Sequence, residues 1–316
     1  MNVIALLTQG LEIIVAVAAA PLFLGWINQC RAWLQNRSAP SVLQPYRTIQ
    51  KLFNKDAVIA ANSSALFRVA PYIVFGAMTL AAAIIPSMGT RLPFTAAADA
   101  IALVGLLATA RVFMALAAMD SGTAFGTLGA RREMMVGFLA EPALLMVIFV
   151  ASLISATTSL PAISEHLTTE AIGLYPSLAF TAVAFTMVLL AENARIPIDN
   201  PATHLELTMI HEAMLLEYSA RHLALMEWAA ALKLFNYACI GFALFLPWGI
   251  AAGAAAPNAL LLAIPVLAVK LVLAGSGLAL IETVSAKLRV FRAPEFLATA
   301  FLFAVLGLLV HLLLGA

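Results

Sequence analysis

Charge is what this sequence has least of: Lys, Arg, Asp and Glu make up 10% of its 316 residues, where soluble domains carry about a quarter. A chain this poor in charge and 63% hydrophobic cannot dress a water-facing surface, which excludes an ordinary soluble enzyme. Its net charge of +1 offers no basic face for nucleic acid. Cysteine is almost missing too. Cys30 and Cys239 lie 209 positions apart, so neither a disulfide framework nor an iron–sulfur or zinc site can be built from them. Any redox cofactor is therefore expected in another chain. No Lys or Arg precedes Arg31, so "AVAAA" before Pro21 lacks the basic start of a signal peptide and reads as part of a retained anchor.

Catalytic signatures are also lacking. His211-Glu212 opens like a zinc-protease motif, but Leu215 holds the second histidine position. His204-x-Glu206 has no Pro-Cys-x-x-Cys after it, as a zinc deaminase would need. The Gly-rich Asp120–Glu133 has no Gly-Lys-Ser/Thr and follows no strand, so it reads as a tight membrane-edge loop carrying Arg131 and Arg132. No Ser-His-Asp or Cys-His arrangement is legible, and the chain alone is expected to have no activity. Without internal repeats, it also lacks the mark of a stand-alone secondary transporter.

What is present is apolar length. Eight uncharged or nearly uncharged runs are long enough to cross a bilayer, which takes roughly 20 residues: about Val3–Ile27, Val69–Ser87, Ala100–Met119, Met134–Ser159, Ile172–Ala191, Trp228–Ala256, Pro257–Ile281 and Phe296–Ala316. Unbroken apolarity, without alternation, predicts helices rather than a barrel. The fold expected is an all-α membrane protein, one membrane domain over 1–316 with eight transmembrane helices. Thirteen of seventeen Lys and Arg residues fall in four connections, about 28–68, 120–133, 192–227 and 282–295, whereas the opposite side carries only Arg91. The excess of basic residues marks the cytoplasmic side, which leaves both termini outside.

Two of these connections are long and lack the composition of disorder. "VLQPYRTIQKLF" sets Leu43, Tyr46, Ile49 and Phe53 against Gln44, Arg47 and Lys51, the pattern of an amphipathic helix at an interface or beneath a partner. "ENARIPIDNPATHLELTMIHE" packs seven ionisable residues (Glu192, Arg195, Asp199, His204, Glu206, His211 and Glu212) into 21 positions. Pro197 should end the preceding helix near Arg195. Asn200 with Pro201 should cap a second one reaching about Tyr218. On that helix Glu206 and Glu217 would share one face, His204 and His211 another.

Glu192-x-x-Arg195-x-Pro197-x-Asp199-x-Pro201, followed by Glu206-Leu207 and Glu217-Tyr218-Ser219, resembles the central cytoplasmic loop of the subunit 1 family of respiratory complex I. Its nearer match is the homologous membrane subunit of hydrogenase-4 and formate hydrogenlyase, among the energy-converting nickel–iron hydrogenases. "LQNRSAPSVLQPYRTIQKLF", "MDSGTAFGTLGARREM", Glu141-Pro142 and "IETVSAKLRVFRAPEFL" resemble further parts of the family pattern, so the likeness spans nearly the whole chain. It implies a non-catalytic subunit of the cell (inner) membrane that docks a soluble redox arm and couples electron transfer to proton or sodium movement. Partners would be hydrogenase-like large and small subunits, an iron–sulfur subunit and antiporter-like membrane subunits. They would hold the iron–sulfur clusters and, in the hydrogenase branch, a nickel–iron site. The chain departs from the quinone-reducing pattern at Ala202 and His204, where that pattern is acidic, and at Ser38-Ala39-Pro40. This favours the hydrogenase branch over a quinone-site subunit.

Ionisable groups inside a membrane mark functional pathways by default, unless they sit near helix ends and snorkel to water. Glu12, Asp99 and His311 read as the second kind. Arg111, Glu141, Glu192, Lys233 and Lys270 read as functional, with Arg111 or Lys233 as charge partners for Glu141 and Glu192. With Arg195, Asp199, His204, Glu206 and Glu217 they make up the candidate proton pathway or cavity. Arg37, Tyr46, Arg47, Lys51, Arg131 and Arg132 are the candidate docking residues.

Overall fold

A bilayer offers no partners for backbone amides, so a spanning segment has to satisfy its own, and among the described residues the spanning segments do so as helices. The computed structural model describes residues 3–60, 62–90, 99–169, 175–199, 209–251, 257–289 and 292–314. In order the helices are α1 (Val3–Leu34), α2 (Gln44–Phe53), α3 (Ala65–Ile84), α4 (Ala100–Asp120), α5 (Ala124–Ser155), α6 (Leu160–Thr169), α7 (Pro176–Glu192), α8 (His211–Leu215), α9 (Ala220–Phe245), α10 (Pro257–Val284) and α11 (Ala293–Leu314). Ser64, Asp99 and Thr123 cap α3, α4 and α5 by accepting hydrogen bonds from the amides of Leu66, Ile101 and Gly126.

Among the described residues seven helices are long and apolar enough to cross a membrane, and the chain is an integral membrane protein. The run expected as a fifth span, Ile172–Ala191, is the shorter apolar helix α7, so eight full-length spans are not what the described residues contain. Central α9 has 78% of its apolar window buried and packs against α1, α3 and α7. Peripheral α10 and α11 bury only 22% and present Leu262, Leu273, Leu302 and Leu313 outward, as lipid-facing helices do.

Several expected boundaries move. Asp120–Glu133 is not an edge loop: only 121–123 separate α4 from α5, and Arg131, Arg132 and Glu133 lie on α5. The reason lies in spacing the loop reading overlooked. Gly129, Glu133 and Gly137 recur every four residues and put one small-residue face of α5 against its neighbours. The helix expected from Asn200 to Tyr218 is replaced, among the described residues, by the five-residue α8. Met209 and Ile210 are not helical, and Asn200–Thr208 lie outside the described residues, Ala202, His204 and Glu206 among them. The α7 helix ends at Glu192, one turn before the expected Arg195. The amphipathic α2 forms where expected. Helix α6 fills part of the connection between α5 and α7.

Candidate functional site

Gly137 has no side chain where α4 crosses α5, and a Cβ there would lie 2.8 Å from both Cδ and Cζ of Arg111. The missing side chain lets the Arg111 guanidinium lie against α5. Arg111 is buried and bonds Glu141 through one terminal nitrogen and Glu192 through the other. Its Nε is 3.6 Å from Glu133 Oε1. The second oxygen of Glu192 is 3.0 Å from Lys233 Nζ, and that of Glu133 is 3.5 Å from His211 Nδ1. Tyr237, also fully buried, lies against Glu192. Helices α4, α5, α7, α8 and α9 each contribute to this cluster. Arg111 is nine residues from the end of α4, about 14 Å at the helical rise of ~1.5 Å per residue, so the cluster sits deep in the bundle.

Counting formal charge, three carboxylates (Glu133, Glu141 and Glu192) face two basic side chains, Arg111 and Lys233. One negative charge is left over in a cluster whose Glu133 and Glu192 are buried and whose Glu141 is half-exposed, and burying such a charge unbalanced is expensive. A proton, on His211 or on a carboxyl, makes the cluster neutral. The arrangement therefore binds one proton more readily than a paired set would.

Above the cluster lies a cavity of about 270 Å³, reaching from Lys233, His211 and Glu227 to Arg31 and Arg195. It adjoins a second of about 200 Å³ under α2, the two sharing Leu24, Asn28, Glu227 and Ala231. The cavity wall is clamped in place. Arg195 Nη1 bonds Glu282 Oε1 at 3.1 Å, and Arg31 reaches Glu282 Oε2 at 3.5 Å. Burial pushes the Arg195 guanidinium below its ordinary range, and Glu282 opposes that shift. Asp199 accepts from the Ile210 amide at 3.0 Å and pairs with Lys287 at 3.3 Å, while the Leu288 amide donates to Pro197 O. The Arg-x-Pro-x-Asp stretch thus fastens the segment after α7 to the last connection and to the start of α8.

Of the sequence candidates, Arg111, Glu141, Glu192 and Lys233 come together, with the pairing expected of them. Lys270 does not join them. It sits near the far end of the bundle, donating to Leu246 O and lying 5.8 Å from the Phe242 ring centroid. Glu217 is half-buried in the turn after α8. Neighbouring Tyr218 stacks on Phe67 at 4.1 Å and donates to Phe67 O, and Ser219 exchanges hydrogen bonds with the Val58 backbone. This motif ties the α8–α9 turn to the segment before α3. Glu133 and His211 escaped the site reading. The every-fourth-residue face containing Gly129 and Gly137 was the available signal for Glu133; for His211 it was the concentration of ionisable residues in Glu192–Glu212. Asp99 is a helix cap and His311 half-exposed near the end of α11, as expected. Glu12 is fully buried, which overturns its reading as a group that snorkels to water. Among the candidate docking residues, Arg37, Arg47, Lys51 and Arg131 are exposed. Tyr46, half-buried, donates to Ala18 O, and burial raises its phenol. Arg132 turns inward to Met209 O at 2.9 Å. Among the described residues no three His, Cys, Asp or Glu side chains converge to hold a metal.

The same architecture occurs in known proteins. A membrane-bound sulfane sulfur reductase, an archaeal respiratory membrane complex, contains a chain that superposes with a TM-score of 0.82 over 95% of this chain and 97% of that one, at 22% identity. Formate hydrogenlyase subunit 4 of Escherichia coli (strain K12) is 34% identical over 301 residues, covering 94% of this chain and 95% of the relative. Hydrogenase-4 component C of the same strain is 37% identical over 254 residues, 77% and 78% of the two chains. The family model described as NADH dehydrogenase matches residues 8–313. With that match over nearly its whole length and two relatives above 30% identity, the chain belongs to the NADH dehydrogenase family, the subunit 1 family of respiratory complex I.

Proposed function

We propose that this chain is the membrane subunit of a complex I-like, hydrogenase-type respiratory complex in the cell (inner) membrane, and that it couples electron transfer in a docked soluble arm to proton movement. The observation that carries the reading is the odd charge of the Arg111 cluster, three carboxylates against two cations at the floor of a cavity. A redox-driven change in that cavity would shift the balance by one proton, taken up or released through Glu192, Glu141, Glu133 and His211. The relatives' names favour the hydrogenase branch over a quinone-site subunit. Iron–sulfur clusters and a nickel–iron site would belong to hydrogenase-like and iron–sulfur partner subunits docked over α2, with Arg37, Arg47, Lys51 and Arg131 at the contact. Antiporter-like membrane subunits would carry the movement onward. In this reading α7 completes eight spans and both termini face outward; a carboxy-terminal reporter active only in the cytoplasm would overturn that topology.

The test is Glu192→Gln in the intact complex, reading assembly, redox turnover and vesicle acidification together. Glutamine keeps the shape and one acceptor but cannot ionise. Assembly should persist while coupled turnover falls by tenfold or more, the scale of roughly 10²–10⁴ lost with a positioned acid–base group. Acidification that persists at wild-type rate in an assembled Glu192→Gln complex would sink the proposal. Acidification that requires sodium would replace the proton by that ion.

A further inference from the structure

Glu12 lies near the end of the bundle opposite α2 and the Arg195–Glu282 clamp, beyond any role given to the Arg111 cluster. Its carboxylate is fully buried. One oxygen, Oε1, accepts the amides of Met88 and Gly89 at 2.9 and 2.7 Å. Those amides are held by a short parallel bridge: the Ala251 amide donates to Met88 O and the Thr90 amide to Ala251 O. The other oxygen, Oε2, has no partner. One helical turn earlier on the same face of α1, Gln9 is 2% exposed and donates its amide nitrogen to Ala83 O at 3.0 Å, which leaves its Oε1 without a partner as well. Two buried acceptors, each lacking a donor, thus sit on residues three apart, a spacing at which helical side chains touch.

We propose that Glu12 and Gln9 form a proton-binding site, in which a proton held on Glu12 Oε2 is donated in a hydrogen bond to Gln9 Oε1. One proton satisfies both orphan atoms and removes the buried charge. A metal cation fits poorly: hard cations such as calcium gather about six to eight oxygens, and Glu12 Oε1 is already committed to two amides. The groups facing the site from neighbouring helices are the Cys239 thiol of α9 and Lys270 of α10. Among the described residues no cation lies within ion-pair distance of Glu12, since Lys270 donates to Leu246 O instead. Beside Cys239, Ser87 and Lys270 is a cavity of about 10 Å³, room for about one water. Along α9, Lys233, Asn236 and Cys239 follow at three-residue steps from the Arg111 cluster toward Glu12. Asn236 donates to Met78 O and keeps a buried, unpartnered Oδ1. Use of Glu12 as a second station on a proton route rests on the coupling reading above; its occupancy by a proton does not.

Occupancy is read by infrared spectroscopy of the intact, detergent-solubilised complex at neutral pH, in the region of the protonated carboxyl stretch. Wild type should show a carboxyl band that Glu12→Gln abolishes. Gln9→Leu keeps the carboxyl but removes its acceptor, so the band should move to higher frequency. Should Glu12→Gln fail to assemble, the Gln9→Leu shift decides alone. A spectrum unchanged in Glu12→Gln, or a band unmoved in Gln9→Leu, overturns the site. So does a band that sodium chloride removes and choline chloride does not, since the ligand would then be sodium. Because the band reports occupancy rather than turnover, its outcome is independent of whether Glu192→Gln uncouples the complex.

Discussion

Gly137→Ala adds one methyl group at the point where Arg111 lies against α5. The new Cβ would be 2.8 Å from Arg111 Cδ and Cζ, against ordinary carbon contacts of about 3.5–4.0 Å. The guanidinium must therefore withdraw by most of an ångström, and it cannot do so while holding both Glu141 and Glu192. Overpacking of this kind costs about 1–3 kcal/mol, and weakening one charged hydrogen bond adds about 1.5–3. Exchanging glycine for alanine in a helix returns up to about 1 kcal/mol. A net destabilisation of about 1.5–5 kcal/mol is expected from these opposing effects. The control is Gly105→Ala on α4, where a Cβ meets nothing within 4 Å and the same exchange should be neutral or mildly stabilising. Large membrane assemblies commonly unfold irreversibly, so the assay is the inactivation rate of the purified complex at fixed temperature. Each ~1.4 kcal/mol falling on the unfolding barrier speeds that rate about tenfold. In an Arg111→Ala background neither Cδ nor the guanidinium is there to strike, and Gly137→Ala should cost much less there, a non-additivity that isolates the contact. Equal inactivation rates for Gly137→Ala and Gly105→Ala would refute the reasoning.

Two further outcomes follow from the clamps. Asp199→Ala removes both the acceptor for the Ile210 amide and the partner of Lys287, so it should lower the yield of assembled complex severalfold while leaving turnover per assembled complex near wild type. Quantitative blotting with activity measurement checks this, and normal yield with lost turnover would show that Asp199 acts in the chemistry instead. Tyr218→Phe keeps the stack on Phe67 but loses the hydrogen bond to Phe67 O, a loss of about 1 kcal/mol. Burial first, and Asp120 second, raise the Tyr218 phenol in the folded state. A raised pKa means the folded state holds the proton more tightly, so this contribution is complete below the ordinary tyrosine value of about 10 and is lost as pH rises beyond it. The stability gap between wild type and Tyr218→Phe should therefore shrink in alkali; a gap that widens would contradict the burial.

How much the sequence alone could say is clearest residue by residue. The apolar runs locate α1, α3, α4, α5, α9, α10 and α11, because crossing a bilayer imposes a length and forbids charge within one segment. The break before Pro197, the amphipathic α2 and the anomaly of Arg111, Glu141, Glu192 and Lys233 as charges within apolar runs were legible for the same reason: each is a local violation or local pattern. Which charges meet was not local. Arg111 reaches partners 30 and 81 positions away, and no periodicity within a helix specifies which neighbouring helix its face will touch. Tertiary structure alone decided that Glu133 and His211 join the cluster, that Lys270 stays at the other end, and that Glu12 is sealed against Met88 and Gly89 rather than turned to water. It also decided that Arg195 and Asp199 fasten the cavity wall, with Glu282 brought from the end of α10 and Lys287 from the last connection. Helix formation in a membrane is dictated by the solvent and can be read one segment at a time; the pairing of buried charges is set by the geometry of helix packing, which depends on all the segments together.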